Sequence, residues 1–259
     1  MVMGIINITD DSFYAGSRAV DADHILQLAR RHQSEGASVI DLGAVSSRPG
    51  AIPLSVATET ERLIKACDII RSDMPDINIS IDTNRSKVLQ ALEPYNINMV
   101  NDISGGQEDE EIWDWAAQHR VPYVLMHMRG TSATMPHLAQ YQDITKDILD
   151  FFIERIPRIK DKGVHDIIID IGIGFAKTIE QNFYLLKHLQ VFHMLELPIL
   201  IGVSRKSLVW KTLNITPAEA LNGTTALHMH CLTQGVSILR VHDVQAAIQT
   251  INLWQKLQG

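Results

Sequence analysis

At 259 residues with 46% hydrophobic side chains, the chain has the length of one barrel-type domain of about 250 residues and can bury a large core. A formal charge of −7, with Lys and Arg scattered rather than clustered, excludes a general nucleic-acid surface, which needs a basic stripe. No apolar stretch reaches the roughly 18 residues of a membrane span, and no basic-then-apolar leader opens the chain. Two cysteines, Cys67 and Cys231, both in helical patterns, suit reduced, buried thiols in a cytoplasmic protein.

Short apolar runs alternate with longer stretches of helical period, the pattern of parallel βα units. The first strand is predicted over Val2–Asn7, followed by a long structureless segment, Thr9–Val20, and a helix over Asp21–Glu35. A strand over Ser38–Leu42 leads into a second long segment, Gly43–Ser55, and a helix over Ser55–Arg71. Strands then follow at Asn78–Asp82, Met99–Asn101, Tyr123–Met126, Asp166–Asp170, Ile199–Gly202 and Ser237–Val241. Helices fall at Arg85–Leu92, Asp109–His119, Ile144–Lys162, Thr178–Leu189, Pro217–Thr233 and Gln245–Gln255. Gly36, Gly163 and Gly235 each end a helix just before a strand, a faint internal repeat that uses glycine as the helix C-cap. The expected fold is α/β: a single (β/α)8 barrel, one domain over residues 1–259, with long loops after strands one and two.

The strands close on polar residues: Asn7, Asp41, Asp82, Asn101, His127, Asp170, the Ser204-Arg205-Lys206-Ser207 segment, and Arg240 with His242. In such a barrel all strand carboxyl ends open on one face, where catalytic groups sit. The chain therefore reads as an enzyme. Arg240 and His242 share a face by period-2 alternation and suggest an anionic substrate, unless His242 serves as a helix cap. Asp170 ends an unbroken apolar strand, where an unpaired carboxylate is costly. It either accepts two parallel N–H bonds from a guanidine-like edge or forms a salt bridge inside the barrel. Ser46-Ser47-Arg48-Pro49-Gly50 offers hydroxyls and a guanidinium to a phosphate, or is an ordinary turn with an exposed arginine. Ser204–Ser207 opens a short helix whose N–H groups and Lys206 favour a carboxylate, or is a capped turn with solvated basic neighbours.

Other patterns carry little. Gly172-Ile173-Gly174-Phe175-Ala176-Lys177-Thr178 lacks the glycines of a P-loop. His228 and His230 at i, i+2 lie on different helix faces, which argues against a zinc pair. Three glycosylation-like triplets mean nothing in a cytoplasmic chain.

Taken together, these segments resemble the dihydropteroate synthases of the pterin-binding barrel superfamily. The resemblance runs from Met3 to about Val244. It rests on Met3–Thr9, Asp11-Ser12-Phe13, Ser47–Ala51, Ser80–Thr83, Asn101–Gly106, Leu125–Thr131, Gly202–Ser207 and Leu239–Val244. It implies joining 4-aminobenzoate to (7,8-dihydropterin-6-yl)methyl diphosphate with Mg²⁺, releasing pyrophosphate through a pterin cation. By that likeness Asp82, Asn101, Met126, Asp170 and Lys206 hold the pterin, and Asn7 ligates the metal. Ser47, Arg48, Arg240 and His242 grip the diphosphate, while Phe13, Ser47, Pro49, Phe175, Lys206 and Ser207 form the 4-aminobenzoate site. Asp82, Lys206, Arg240 and His242 carry the chemistry. The likeness also implies sulfonamide competition, a homodimer, and small-molecule partners only, with no nucleic acid and no membrane.

The chain departs from that pattern at Asp10, where Pro is usual, and at Ala15, where a loop carboxylate is expected. It departs again at Ile171, where Pro is common, and at Ala176, where Gly is frequent. By the likeness, a segment often precedes the first strand, and the expectation here is of a chain that lacks it. A methyltetrahydrofolate-dependent methyltransferase would share the pterin residues but needs no anion grip, and a catalytically silent pterin binder would be supported by Ala15.

Overall fold

Strand side chains alternate between two faces, and here the two faces sort into two separate cores. The computed structural model describes residues 1–8, 18–45, 54–131 and 134–259. Eight parallel strands close in chain order into a barrel: β1 (Val2–Asn7), β2 (Val39–Gly43), β3 (Ile79–Asp82), β4 (Met99–Asp102), β5 (Tyr123–Met126), β6 (Ile167–Asp170), β7 (Ile199–Ile201) and β8 (Ile238–Val241). The last strand pairs with the first, Val2 opposite Leu239. The fold is a (β/α)8 barrel.

Met3, Val39, Met99, Val124, Ile168, Leu200 and Ile238 form a small cluster of their own. This is one layer of the barrel interior. Their neighbours along each strand, such as Ile40, Val100, Ile167 and Leu239, belong to the larger core between barrel and helices. Two residues beyond the inner layer, on the same face, come Asp41, Asn101, Met126, Asp170, Gly202 and Arg240. The apolar plug thus gives way to polar groups within one step of the pleat, and the register that places them was set by the apolar residues below.

The helices α1 (Arg18–Ser34), α2 (Val56–Asp73), α3 (Ser86–Ala91), α4 (Glu111–His119), α5 (Ile144–Asp161) and α6 (Ile179–Lys187) lie close to their predicted spans. The short helix expected to open at Ser204–Ser207 is present as α7 (Ser207–Leu213), whereas the helix expected over Pro217–Thr233 is corrected: it divides into a 3-10 turn, Pro217–Glu219, and α8 (Leu221–Thr233). The turn opens with its own capping box, with Thr216 N and Oγ1 both donating to Glu219 Oε2 at 2.9 and 2.8 Å. The helix expected to reach Leu189 stops at Lys187 and gives way to a 3-10 segment, Leu189–Leu195. The last helix, α9, covers Val244–Gln258. Gly36, Gly163 and Gly235 all adopt positive φ, between 83° and 99°, which accounts for the glycine repeat that precedes β2, β6 and β8.

Candidate active site

At the barrel mouth, Arg240 from β8 is held between two carboxylates. Its Nε donates to Asp41 Oδ2 and its Nη2 to Asp82 Oδ2, each at 2.7 Å. Ser80 Oγ donates to Asp41 Oδ1 at 2.6 Å, and Asn101 Nδ2 to Asp41 Oδ2 at 3.1 Å. Asp41 is fully buried. A buried carboxylate is tolerated only when charge and hydrogen bonds compensate its lost hydration, and three other strands, β3, β4 and β8, contribute to doing so here. Burial works against the Arg240 charge, but Asp41 and Asp82 overcome it and hold the guanidinium above its ordinary range. Burial lifts Asp82 to about 7 despite Arg240, with nearby Asp41 adding to the rise.

Across the mouth lies the turn after β6. Asp170 is 6% exposed, and its Oδ1 accepts the Gly172 N–H at 2.8 Å. Burial raises its pKa, which Lys206 partly offsets. Lys206 comes from the β7–α7 turn, where Arg205 sits at φ 52°. The Lys206 ammonium donates to Ile173 O and stands 4.7 Å from the centre of the Phe175 ring. Burial lowers it to about 8, while Asp170 resists that change. Phe175 and Met126 belong to one apolar cluster with Met128, Met135 and Ala176.

The polar rim is less uniform than the strand ends suggest. His242 is exposed, with Nδ1 3.2 Å from Ser204 Oγ. Asn7 is exposed at the end of β1, and Ser207 begins α7 beside Lys206. Arg205 faces away and bonds both oxygens of Asp243 at 2.8 and 2.9 Å. Phe13, Ser47, Arg48 and Pro49 lie outside the described residues, as do Asp10 and Ala15. Among the described residues, no group of three or more His, Cys, Asp or Glu side chains is placed to hold a metal.

The sequence profile of the pterin binding enzyme family matches residues 3–242. A dihydropteroate synthase of Synechocystis sp. is 41% identical over 96% of this chain and 86% of its own length. The chain belongs to the dihydropteroate synthase family. The Escherichia coli member is 35% identical over 97% of this chain and 89% of its own length. Among solved structures, the Yersinia pestis dihydropteroate synthase in complex with a sulfonamide drug superposes with a TM-score of 0.92 at 35% identity, covering 100% of this chain and 94% of that one. A Xanthomonas albilineans dihydropteroate synthase with 4-aminobenzoic acid gives 0.90 at 32% identity, over 100% and 93%. The family consists of transferases in folate synthesis.

Against that background, the barrel brings together Asp82, Asn101, Met126, Asp170, Phe175, Lys206 and Arg240 from six parts of the chain. Two residues of the mouth escaped the sequence reading as site residues. Asp41, noted only as a strand end, is the acceptor at the centre of the Arg240 cluster. Lys177, noted only within a defective P-loop pattern, is bonded into the turn after β6. A carboxylate two places beyond an inward apolar residue was the available signal for Asp41.

Proposed function

We propose that the chain condenses (7,8-dihydropterin-6-yl)methyl diphosphate with 4-aminobenzoate, giving 7,8-dihydropteroate and pyrophosphate. The observation that carries this is the placing of Asp170 opposite the Arg240 and Lys206 cations in one mouth: an acceptor pair for a guanidine-like edge beside cations for an anion. Asp170, already oriented by the Gly172 N–H, accepts from the pterin's guanidine-like edge. Asn101 spends its amide nitrogen on Asp41, which leaves its carbonyl oxygen for the pterin. Met126 packs against the ring.

The bond between the methylene carbon and the diphosphate oxygen breaks first, and its electron pair leaves with pyrophosphate. Arg240 and His242, with Ser47 and Arg48 from the second loop, stabilise that departing charge; donors preset where charge develops lower the barrier. The Asp82 carboxylate faces the positive charge left on the pterin. The 4-aminobenzoate nitrogen then forms the new C–N bond and gives up a proton. Phe175, with Phe13 and Pro49, lines the aminobenzoate site, and Ser207 and Lys206 take its carboxylate.

Asn7 offers one hard oxygen at the rim, which suits Mg²⁺, an ion commonly held by one or two protein ligands plus substrate phosphates and water. When bound, Mg²⁺ neutralises diphosphate charge as a Lewis acid. The reading places the protein in the cytoplasm as a homodimer of single-domain chains. Free, buried Cys67 and Cys231 support a reducing compartment, and no helix among the described residues is long and apolar enough to cross a membrane. Homodimerisation follows from the family likeness alone.

Purified protein given both substrates and Mg²⁺ is expected to release pyrophosphate in step with dihydropteroate, and chelation of the metal to stop it. Absence of pyrophosphate where a control synthase produces it would overturn the assignment. A methyl-transferring relative or a silent pterin binder would give that negative result.

A further inference from the structure

The turn after β6 carries three groups assigned to the site: Asp170, Phe175 and, through Ile173 O, the seat of Lys206. Besides the Gly174 N–H bond to Asn182 Oδ1 at 2.7 Å and the Phe175 N–H bond to Gly172 O at 3.1 Å, one ammonium gathers the carbonyls of this turn. Lys177 Nζ donates to Gly172 O at 2.9 Å and to Phe175 O at 3.0 Å, and it lies 3.1 Å from His127 Nδ1 at the end of β5. His127 O also lies 3.5 Å from Nζ, so the three donors of a protonated Lys177 are fully engaged. Burial lowers its pKa to about 7, while Asp170 resists that change. His127 is held well below its ordinary value, first by burial and then by Lys177, so its ring is neutral and Nδ1 accepts.

Resting on the function proposed above, we propose that Lys177 is a positioning residue for pterin recognition. It ties the end of β5 to the turn after β6 and so sets the Asp170 carboxylate. The bonds run in series: Lys177 to Gly172 O, and Gly172 N–H to Asp170 Oδ1. Gly172 is itself forced into this place. Its φ is 68°, and a Cβ there would lie 2.0 Å from His127 O, so the turn packs its bare backbone directly on the end of β5. Lys177 touches neither the expected substrate groups nor the reacting carbon. Its influence passes through the turn.

Asp170 holds a part of the pterin remote from the breaking bond, so its contribution is the same in ground and transition states. Loss of such uniform binding raises KM and leaves kcat. Lys177→Met is therefore expected to raise KM for the pterin diphosphate by about tenfold or more, with kcat within about threefold. Amide exchange at Gly172–Phe175 in the substrate-free protein should quicken by about tenfold or more, since the turn loses its tie.

Lys177→Cys treated with 2-bromoethylamine rebuilds an ammonium of near-lysine length. Residue 177 is half-buried, whereas Cys67 and Cys231 are buried thiols pushed up to about 12, so the new thiol reacts first. Restored exchange protection and restored KM are the expected results. A folded Lys177→Met protein with unchanged protection and KM would overturn the proposal, as would losses that aminoethylation does not repair. If Lys177→Met does not fold, Lys177→Gln is read by the same two measures. The exchange experiment needs no substrate, so it decides on the tie even if pyrophosphate release fails and takes the functional reading with it.

Discussion

At 1% exposure, the His228 ring on α8 places both nitrogens away from water, and neither has a hydrogen-bond partner among the described residues. Burial lowers its pKa from 6.5 to about 4. Its folded value lies below its unfolded one, so between those two pH values the unfolded chain binds the extra proton. Stability from this residue is thus present above about pH 6.5 and lost as pH falls toward 4, by up to about 3 kcal/mol. His228→Leu removes both the unpaired nitrogens and the titration. It should be neutral or stabilising at pH 7, and its advantage over the wild type should grow steadily as denaturation is repeated from pH 7 down to 4. An advantage that shrinks over that range would contradict the account. The sequence placed His228 on a helix, but a helical period does not reveal whether a ring nitrogen finds a partner. The same holds for Asp41 and Arg240, whose strand positions were legible while their pairing was not.

The turn from β6 to α6 departs from the family pattern at Ala176, and the structure shows the consequence. Ala176 sits at φ 48°, in the left-handed region, with its carbonyl accepting from Tyr141 OH at 3.0 Å. A residue with a Cβ pays roughly 1–2 kcal/mol there, and glycine avoids this at some entropic cost in the unfolded chain. Ala176→Gly should therefore stabilise by about 0.5–1 kcal/mol in urea unfolding; a loss of stability would show that the left-handed conformation is not strained. The next residues were easier to read. Thr178 caps α6 through its hydroxyl, and Gln181 returns the bond to the Thr178 N–H, a start signal visible in the residue types alone. Where elements were misjudged, as at Pro217–Glu219, one apolar period ran across both a 3-10 turn and the helix after it.

Over the whole molecule, the barrel turns one alternating pattern into a plug, a charged floor and a mouth. Period 2 made the inner layer and the eight polar strand ends legible, because the apolar residues fix which way every later side chain on the strand points. The arrangement among those polar ends depends on side-chain distances across the barrel, which no linear pattern encodes. Three carboxylates, Asp41, Asp82 and Asp170, share this space with the Arg240 and Lys206 cations. Two of the carboxylates engage Arg240, and Asp170 is the one facing the pterin in the proposed reading. Asp170→Asn keeps the shape but exchanges one acceptor for a donor that opposes a pterin N–H. A lost charged hydrogen bond is worth roughly 1.5–3 kcal/mol, or about 10- to 150-fold in affinity. The direct measurement is calorimetric titration of the wild type and Asp170→Asn with the pterin diphosphate: a loss in this range is expected, and one smaller than about fivefold would remove Asp170 from the pterin site.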